Sequence, residues 1–402
     1  MTLDLTLRTL LGAFFFLLAT PANAQQTLAA DIHVPSEYPT IQAAIDAASP
    51  GDRVIVAPGE YNENLVIADK VVAVESSGGP TVTTIRGTGI DSAIIFDSVS
   101  GVGGGSLSGF TVTGGHASVG GGLVAYGQGP VTIRNNIFEA NTQTGGGLGA
   151  AIAGWNSNLT IERNVFRNND CENDSQFLTG VVSFVNSSHV VLSNNVFFNN
   201  PCRAINVYAN SEDTLVINNT VVGNSGGVLL AQEPLGGTRA FRNNIIVGNS
   251  VGVDASFGFS TPQVFENNLV YGNSVDYRDT PVQTGTNGNI AAPPLFRNQS
   301  AGDLHLVAGS PAIDAGSGTA APSVDFDGTT RPIDGNGDGI ASFDIGAYEA
   351  DESAQFDLIV QDDRTREALR FNSQTGAYVY SSCNPSVAPV TGTGTIRHIG
   401  AC

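Results

Sequence analysis

Three carboxylates, Asp170, Glu172 and Asp174, crowd one short stretch of a chain in which only 13% of residues are charged. Glu172 lies eight residues after Asn164, and Arg203 lies eight residues after Asn195, so the two share an offset within similar segments. Carboxylates near an Arg or a His are what glycosidic hydrolysis or proton abstraction requires: one acid, and one base or nucleophile. The catalytic candidates are therefore Asp170, Glu172, Asp174, Arg203 and His189. Trp155 and Tyr126 offer apolar ring faces for stacking, and His116 sits in the glycine-rich Gly114–Gly122 loop. A His alone in such a loop is more often solvated than catalytic, and an exposed Glu–Arg pair contributes little energy. These residues can do chemistry only if the fold gathers them into one groove.

A second constellation points to a cation. Asp334-Gly335-Asn336-Gly337-Asp338-Gly339 matches the first half of a calcium loop, with oxygens at alternate positions and Gly at the sharp turn. The second half departs from that pattern, because Ile345 stands where a bidentate Glu belongs and Asp344 precedes it. Asp325 and Asp327 are available to complete the shell, giving Asp325, Asp327, Asp334, Asn336, Asp338 and Asp344 as the expected ligands of a structural Ca2+.

The elements that must carry these residues are set by a repeat. Six nine-residue segments share one pattern: Ile133–Asn141, Ile161–Asn169, Leu192–Asn200, Val216–Asn224, Phe241–Asn249 and Phe265–Asn273. One Asn column runs Asn136, Asn164, Asn195, Asn219, Asn244, Asn268; the other runs Asn141, Asn169, Asn200, Asn224, Asn249, Asn273. Leu107–Gly115 is an earlier copy with Phe110 in the first column. A short apolar motif at a fixed period predicts a β-solenoid. Asn tolerates the left-handed corner that β-branched residues avoid, and its amide can donate and accept between coils. Phe138, Phe166, Phe197, Val221, Ile246 and Val270, two positions after the first column, read as an inward stack. Cys171 and Cys202 each lie seven residues after a column Asn, which brings adjacent coils within disulfide reach and leaves Cys383 and Cys402 as the other pair.

The flanks read differently. Thr40 is a candidate N-cap for an amphipathic helix over residues 41–48, stopped by Pro50-Gly51 and expected to cap the open end of the solenoid. Residues 1–24 have the charge, apolar run and Ala22-Asn23-Ala24 site of a secretory signal, so the mature chain is expected outside the cell or at its surface. No later segment is apolar enough for a membrane span. Phe356–Val360, Ala368–Asn372, Ala377–Ser381 and Thr391–Ile399 read as strands of a separate module over residues 354–402. The net charge of −20, with Lys70 as the only lysine, argues against nucleic acid and against a bare polyanion unless calcium bridges it. A monomer is expected.

Tyr38–Ile67, YPTIQAAIDAASPGDRVIVAPGEYNENLVI, resembles the N-terminal cap of pectate-lyase-like, right-handed parallel β-helix proteins, and the Asn-rich segments resemble their coils. The resemblance covers residues 32–350. It implies an all-β, right-handed parallel β-helix with an N-terminal helical cap, to which the separate strands of residues 354–402 add a small C-terminal β-module. Gly309–Gly316 and Asp344–Glu349 resemble the terminal coil of secreted bacterial proteins of the choice-of-anchor class, which implies an extracellular or surface-displayed protein. Members of the β-helix class include lyases, hydrolases and proteins without known chemistry, so the fold alone assigns no activity. Two functions stay open: binding of a polysaccharide or cell-surface glycan without turnover, and a polysaccharide lyase or glycoside hydrolase.

Overall fold

The computed structural model describes residues 29–351, apart from 173–178, 188, 209–210, 212, 231–236 and 256–263, and beyond them four strands between residues 358 and 393. The signal-like segment, Asp174, Cys383 and Cys402 lie outside the described residues.

The period-2 alternation of each coil produces three long parallel sheets. Sheet 1 has ten strands, running from Asp31–Val34 to Val264–Glu266. Sheet 2 has nine, from Gly59–Asn62 to Leu269–Tyr271, and sheet 3 has nine, from Leu65–Ala68 to Val275–Arg278. A fourth, short sheet joins His116–Val119, Thr142–Leu148 and Asp170–Cys171. One coil visits Pro130–Arg134 in sheet 1, Ile137–Glu139 in sheet 2, Thr142–Leu148 in sheet 4 and Ile152–Trp155 in sheet 3. The next coil then pairs in register, with Pro130 opposite Asn158 and Ile133 opposite Ile161.

Both Asn columns form ladders. In the first, each side-chain amide donates to the Oδ1 of the next coil's Asn, from Asn136 to Asn164 at 3.1 Å through to Asn268 and Asn289 at 3.1 Å. The second runs from Asn141 to Asn273 and ends on Asp276, 2.8 Å away. Each ladder Oδ1 also accepts the backbone N–H of the residue in the same place one coil earlier, Phe110 for Asn136 and Asn136 for Asn164, so buried amides find partners on every side. The left-handed backbone, expected at the ladder Asn, falls instead on the residue before it: Asn135, Arg163, Asn194, Asn218, Asn243 and Asn267 have φ between 50° and 55°. The ladder Asn is buried with its amide turned inward, while its predecessor makes the corner. Phe138, Phe166 and Phe197 stack beneath the ladder with ring centroids 5.3 and 4.6 Å apart. Cys171 and Cys202 are bonded, their Cα atoms 5.6 Å apart.

The first coil contains a seven-residue helix, Ile41–Ala47, with Ile41, Ala44 and Ile45 buried. Thr40 Oγ1 accepts the Ala43 N–H, and the Glu63 carboxylate accepts those of Ile41 and Gln42. At the other end Lys70 Nζ donates to the carbonyls of Ile45, Asp46 and Ala48. The helix is one short element of that coil, and a separate helical cap is not evident.

Residues 290–350 fold back over sheet 2 instead of adding coils. Outward-facing Val196, Val222, Ile245, Val247 and Leu269 are buried against Leu304, Leu306, Ile313, Ile345, Ala347 and Tyr348. The corner Asn residues pin this segment: Asn194 donates to Val324 O, Asn218 to Asp344 O and Gly346 O, Asn243 to Ser317 O and Asn267 to Ala315 O. Arg331 and Glu349 form an ion pair at 2.9 Å with both side chains fully buried. Beyond lies an antiparallel sheet of Leu358–Asp362, Glu367–Phe371, Ala377–Ser381 and Val390–Thr393.

Candidate functional site

Tyr126 and Trp155 occupy register-matched positions on adjacent strands of sheet 3, with Asp97 one coil before Tyr126 and Val185 one coil after Trp155. All four sit at an outward position, because their strand neighbours Phe96, Ala125 and Phe184 point into the core. Tyr126 and Trp155 line a groove of about 610 Å³ together with Ser98, Val99, Val119, Gln128 and Asn156. Trp155 is 40% exposed, so much of its indole faces solvent. A second cavity of about 410 Å³ adjoins the first, shares Val119 and Tyr126, and is rimmed by Asp91, His116 and Thr144. Burial first, and then the charges of Asp91 and Asp97, push the Tyr126 hydroxyl above its ordinary value, so it stays protonated at neutral pH.

Sheet 4 brings other candidates to the same corner. His116, Thr142 and Asp170 stack in register on three successive coils. Glu172 Oε1 lies 3.8 Å from His116 Nε2, and Glu172 Oε2 accepts the Gly145 N–H at 3.3 Å. Both side chains of the His116–Glu172 pair are about half exposed, which makes it a weak, solvent-screened contact.

The expected pairing of Glu172 with Arg203 is not formed. Arg203 projects from sheet 3 and reaches Asp254 at 3.2 Å, and Asp254 is clasped from the next coil by Arg278. Gly226 stands opposite Arg203 in the intervening coil, and a side chain there would press on the arginine. Equal offsets place Glu172 and Arg203 on neighbouring coils, but Glu172 sits at the end of sheet 4 facing His116 while Arg203 stands on sheet 3 facing Asp254. His189 lies exposed on sheet 1, opposite Asn158 and Asp213, and does not line the groove. Lys70 is committed to the helix terminus. Thus His116, Tyr126 and Trp155 line the two adjoining cavities and Glu172 touches His116, whereas Asp170, His189 and Arg203 line neither.

The expected cation ligands also separate. Asp334 accepts the N–H groups of Gly337, Asp338 and Gly339, which folds the loop and leaves Asn336 and Asp338 exposed. Asp325 is buried and accepts from Thr329 and Glu349, and Asp344 is buried and accepts from Asp314 and Ala350. Asp327 instead binds His305 Nε2 at 2.8 Å, while Asp303 binds Nδ1 at 2.5 Å. This His stacks 4.0 Å from Tyr348 and borders a polar cavity of about 250 Å³. Among the described residues, no three His, Cys, Asp or Glu side chains stand in metal-holding geometry.

A family profile described as a right-handed β-helix region matches residues 69–221. The chain carries a right-handed β-helix region. Nothing among curated proteins matches it in sequence. Among solved structures, the pectate lyase Pel9A is similar over 81% of this chain and 97% of its own, at 14% identity and a TM-score of 0.35. A deglycosylated pectin methylesterase from Aspergillus niger covers 69% and 88% of the two chains at 13% identity and a TM-score of 0.34. An alginate lyase from Paenibacillus sp. str. FPU-7 covers 66% and 98% at 13% identity and a TM-score of 0.26. The β-helix assignment rests on the profile match and the sheet order, not on these likenesses. No helix among the described residues is long and apolar enough to cross a membrane.

Asp91, Asp97, Gln128 and Asn156 escaped the reading of the sequence. Asp97, Tyr126 and Trp155 are separated by equal intervals of one coil, and that spacing was the available signal.

Proposed function

We propose that this β-helix is an exported protein that holds a polysaccharide or cell-surface glycan along the outer face of sheet 3, without turning it over. The observation that carries this reading is the placement of Tyr126 and Trp155 on adjacent coils facing one groove. Coils repeat about every 4.8 Å, close to the advance of an extended pyranose chain, so two rings can stack on successive sugars. Gln128 and Asn156 supply amide groups at the groove wall. Against turnover stands the separation of Arg203, held by Asp254, from Asp170 and Glu172.

Titration calorimetry with neutral oligosaccharides tests the reading. Binding should fall about tenfold or more in Trp155→Ala and more modestly in Tyr126→Phe, in line with the loss of one stacking contact. Equal binding by Trp155→Ala would reject the groove. Release of new reducing ends or unsaturated uronate from a polysaccharide panel would replace the binding role with a lyase or hydrolase.

Structural calcium belongs to the same proposal in a reduced form. Asp334, Asn336 and Asp338 fit a hard cation by donor type, whereas Asp325, Asp327 and Asp344 are committed elsewhere. A bound cation would clamp the loop at residues 334–339. Addition of Ca2+ should raise the melting temperature of the wild type and not that of Asp338→Ala. A wild type indifferent to Ca2+ and chelator would discard the clamp.

A further inference from the structure

We infer that the glycan taken by this groove carries protonated amines, so that Asp91 and Asp97 read an amino sugar and turn a uronate away. The inference rests on the groove over Tyr126 and Trp155 being the glycan site. Asp97 is the register partner of Tyr126, and Asp91 lines the adjoining cavity. Each carboxylate has one oxygen engaged by a nearby backbone N–H, Asp91 by Ser92 at 2.8 Å and Asp97 by Val99 at 3.1 Å. Among the described residues neither forms an ion pair. Several acids elsewhere on the strands do: Glu60 pairs with Arg86, Glu139 with Arg167, Glu266 with Arg242, and Asp254 with Arg278.

Among the described residues, no Arg or Lys lines either cavity. Their one basic side chain, His116, already faces Glu172. A sugar carboxylate entering here would meet like charge with no cation to offset it, inside a chain of net charge −20. A sugar ammonium stacked over Tyr126 would meet two available carboxylates and the electron-rich faces of the two rings. The raised Tyr126 hydroxyl reports the same local field, since Asp91 and Asp97 both contribute after burial.

The test compares three hexamers by calorimetry at pH 5.5, where Asp is ionised and a sugar amine is protonated. The probes are β-1,4-glucosamine, its N-acetylated counterpart and oligogalacturonate. The glucosamine hexamer should bind roughly three- to tenfold tighter than the acetylated one, as expected for one or two partly exposed ion pairs, and the uronate weakest. Asp91→Asn/Asp97→Asn should erase the preference while leaving acetylated hexamer binding dependent on Trp155. Asp91→Asn alone, on the exposed rim, should erase part of it. Equal binding of the two hexamers, or a preference retained in the double variant, would overturn the inference and leave the groove as a glycan site. Failure of every hexamer to bind in a Trp155-dependent way would overturn both.

Discussion

The side-chain amide of Asn218 donates to the carbonyls of Asp344 and Gly346, at 3.0 Å each, across 126 and 128 residues of sequence. The same residue makes a left-handed corner at φ 53°, so it shapes its own coil and fastens the terminal segment to it. Asn218→Ala takes one donor from each of two buried carbonyls, leaving them only the Arg331 guanidinium, and puts at the left-handed corner a residue that tolerates it less well than Asn. The expected loss is roughly 2–4 kcal/mol, read from urea unfolding. Asn135→Ala, at the equivalent exposed corner, should cost only the conformational share, roughly 1–2 kcal/mol. Equal losses at the two sites would deny the fastening role.

Asn195 sits in the middle of the first ladder. Its Oδ1 accepts the backbone and side-chain N–H groups of Asn164, and its Nδ2 donates to Asn219 and to Ile161 O. Asn195→Ala strips all four bonds from a dry core and should lower stability by about 3 kcal/mol or more. A thermal midpoint lowered by less than roughly 2 °C would mean that the ladder is dispensable.

The Cys171–Cys202 bond joins neighbouring coils beside the candidate site and closes a loop of 31 residues. Cys171→Ser/Cys202→Ser should lose about 2–4 kcal/mol in denaturant unfolding. Reductant should bring the wild type to the stability of the double variant. Any further shift of the variant itself under reductant would report the expected Cys383–Cys402 pair.

His305 is clasped by two carboxylates. The Asp327 bond is the main cause of its raised pKa, opposed by burial and reinforced by Asp303. A His whose folded pKa exceeds the unfolded value of about 6.5 stabilises fully below that value, and loses the contribution as pH rises through the folded pKa. Asp344, raised well above its ordinary value by burial and then by Glu349, works in the same direction, so a variant is needed to separate them. The melting temperature should fall between pH 6 and pH 9 more for the wild type than for His305→Gln. The difference should correspond to about 1 kcal/mol or less, given the partial exposure of the ring. Parallel pH profiles would show that the clasp carries no protonation-linked stability.

Much of the coil was legible because the chemistry of a parallel ladder is local and repeats. Asn136 through Asn268, the Phe138–Phe166–Phe197 stack and the Cys171–Cys202 bond follow from equal offsets, since each coil stacks its counterpart on the next. The corner conformation was assigned one residue late, because the pattern shows two Asn side by side and does not say which one turns. In the last coils, outward positions such as Val222 and Val247 are apolar where the register-matched positions of earlier coils carry Glu139 or Arg167. That contrast was the sequence-level trace of the covering segment.

What the sequence determined by itself was therefore the period, the inward faces and the neighbours one coil apart. Only the tertiary structure decided how the faces are angled. It put Glu172 toward His116 and Arg203 toward Asp254, despite their equal offsets. It also laid residues 290–350 across sheet 2 and spent Asp325, Asp327 and Asp344 on that packing. Register along the stack is fixed by hydrogen bonds at each rung, but rotation around the coil depends on loop lengths and corners that vary between coils. A non-repeating segment has no neighbour of its own kind to define its place, so long-range packing alone positions it.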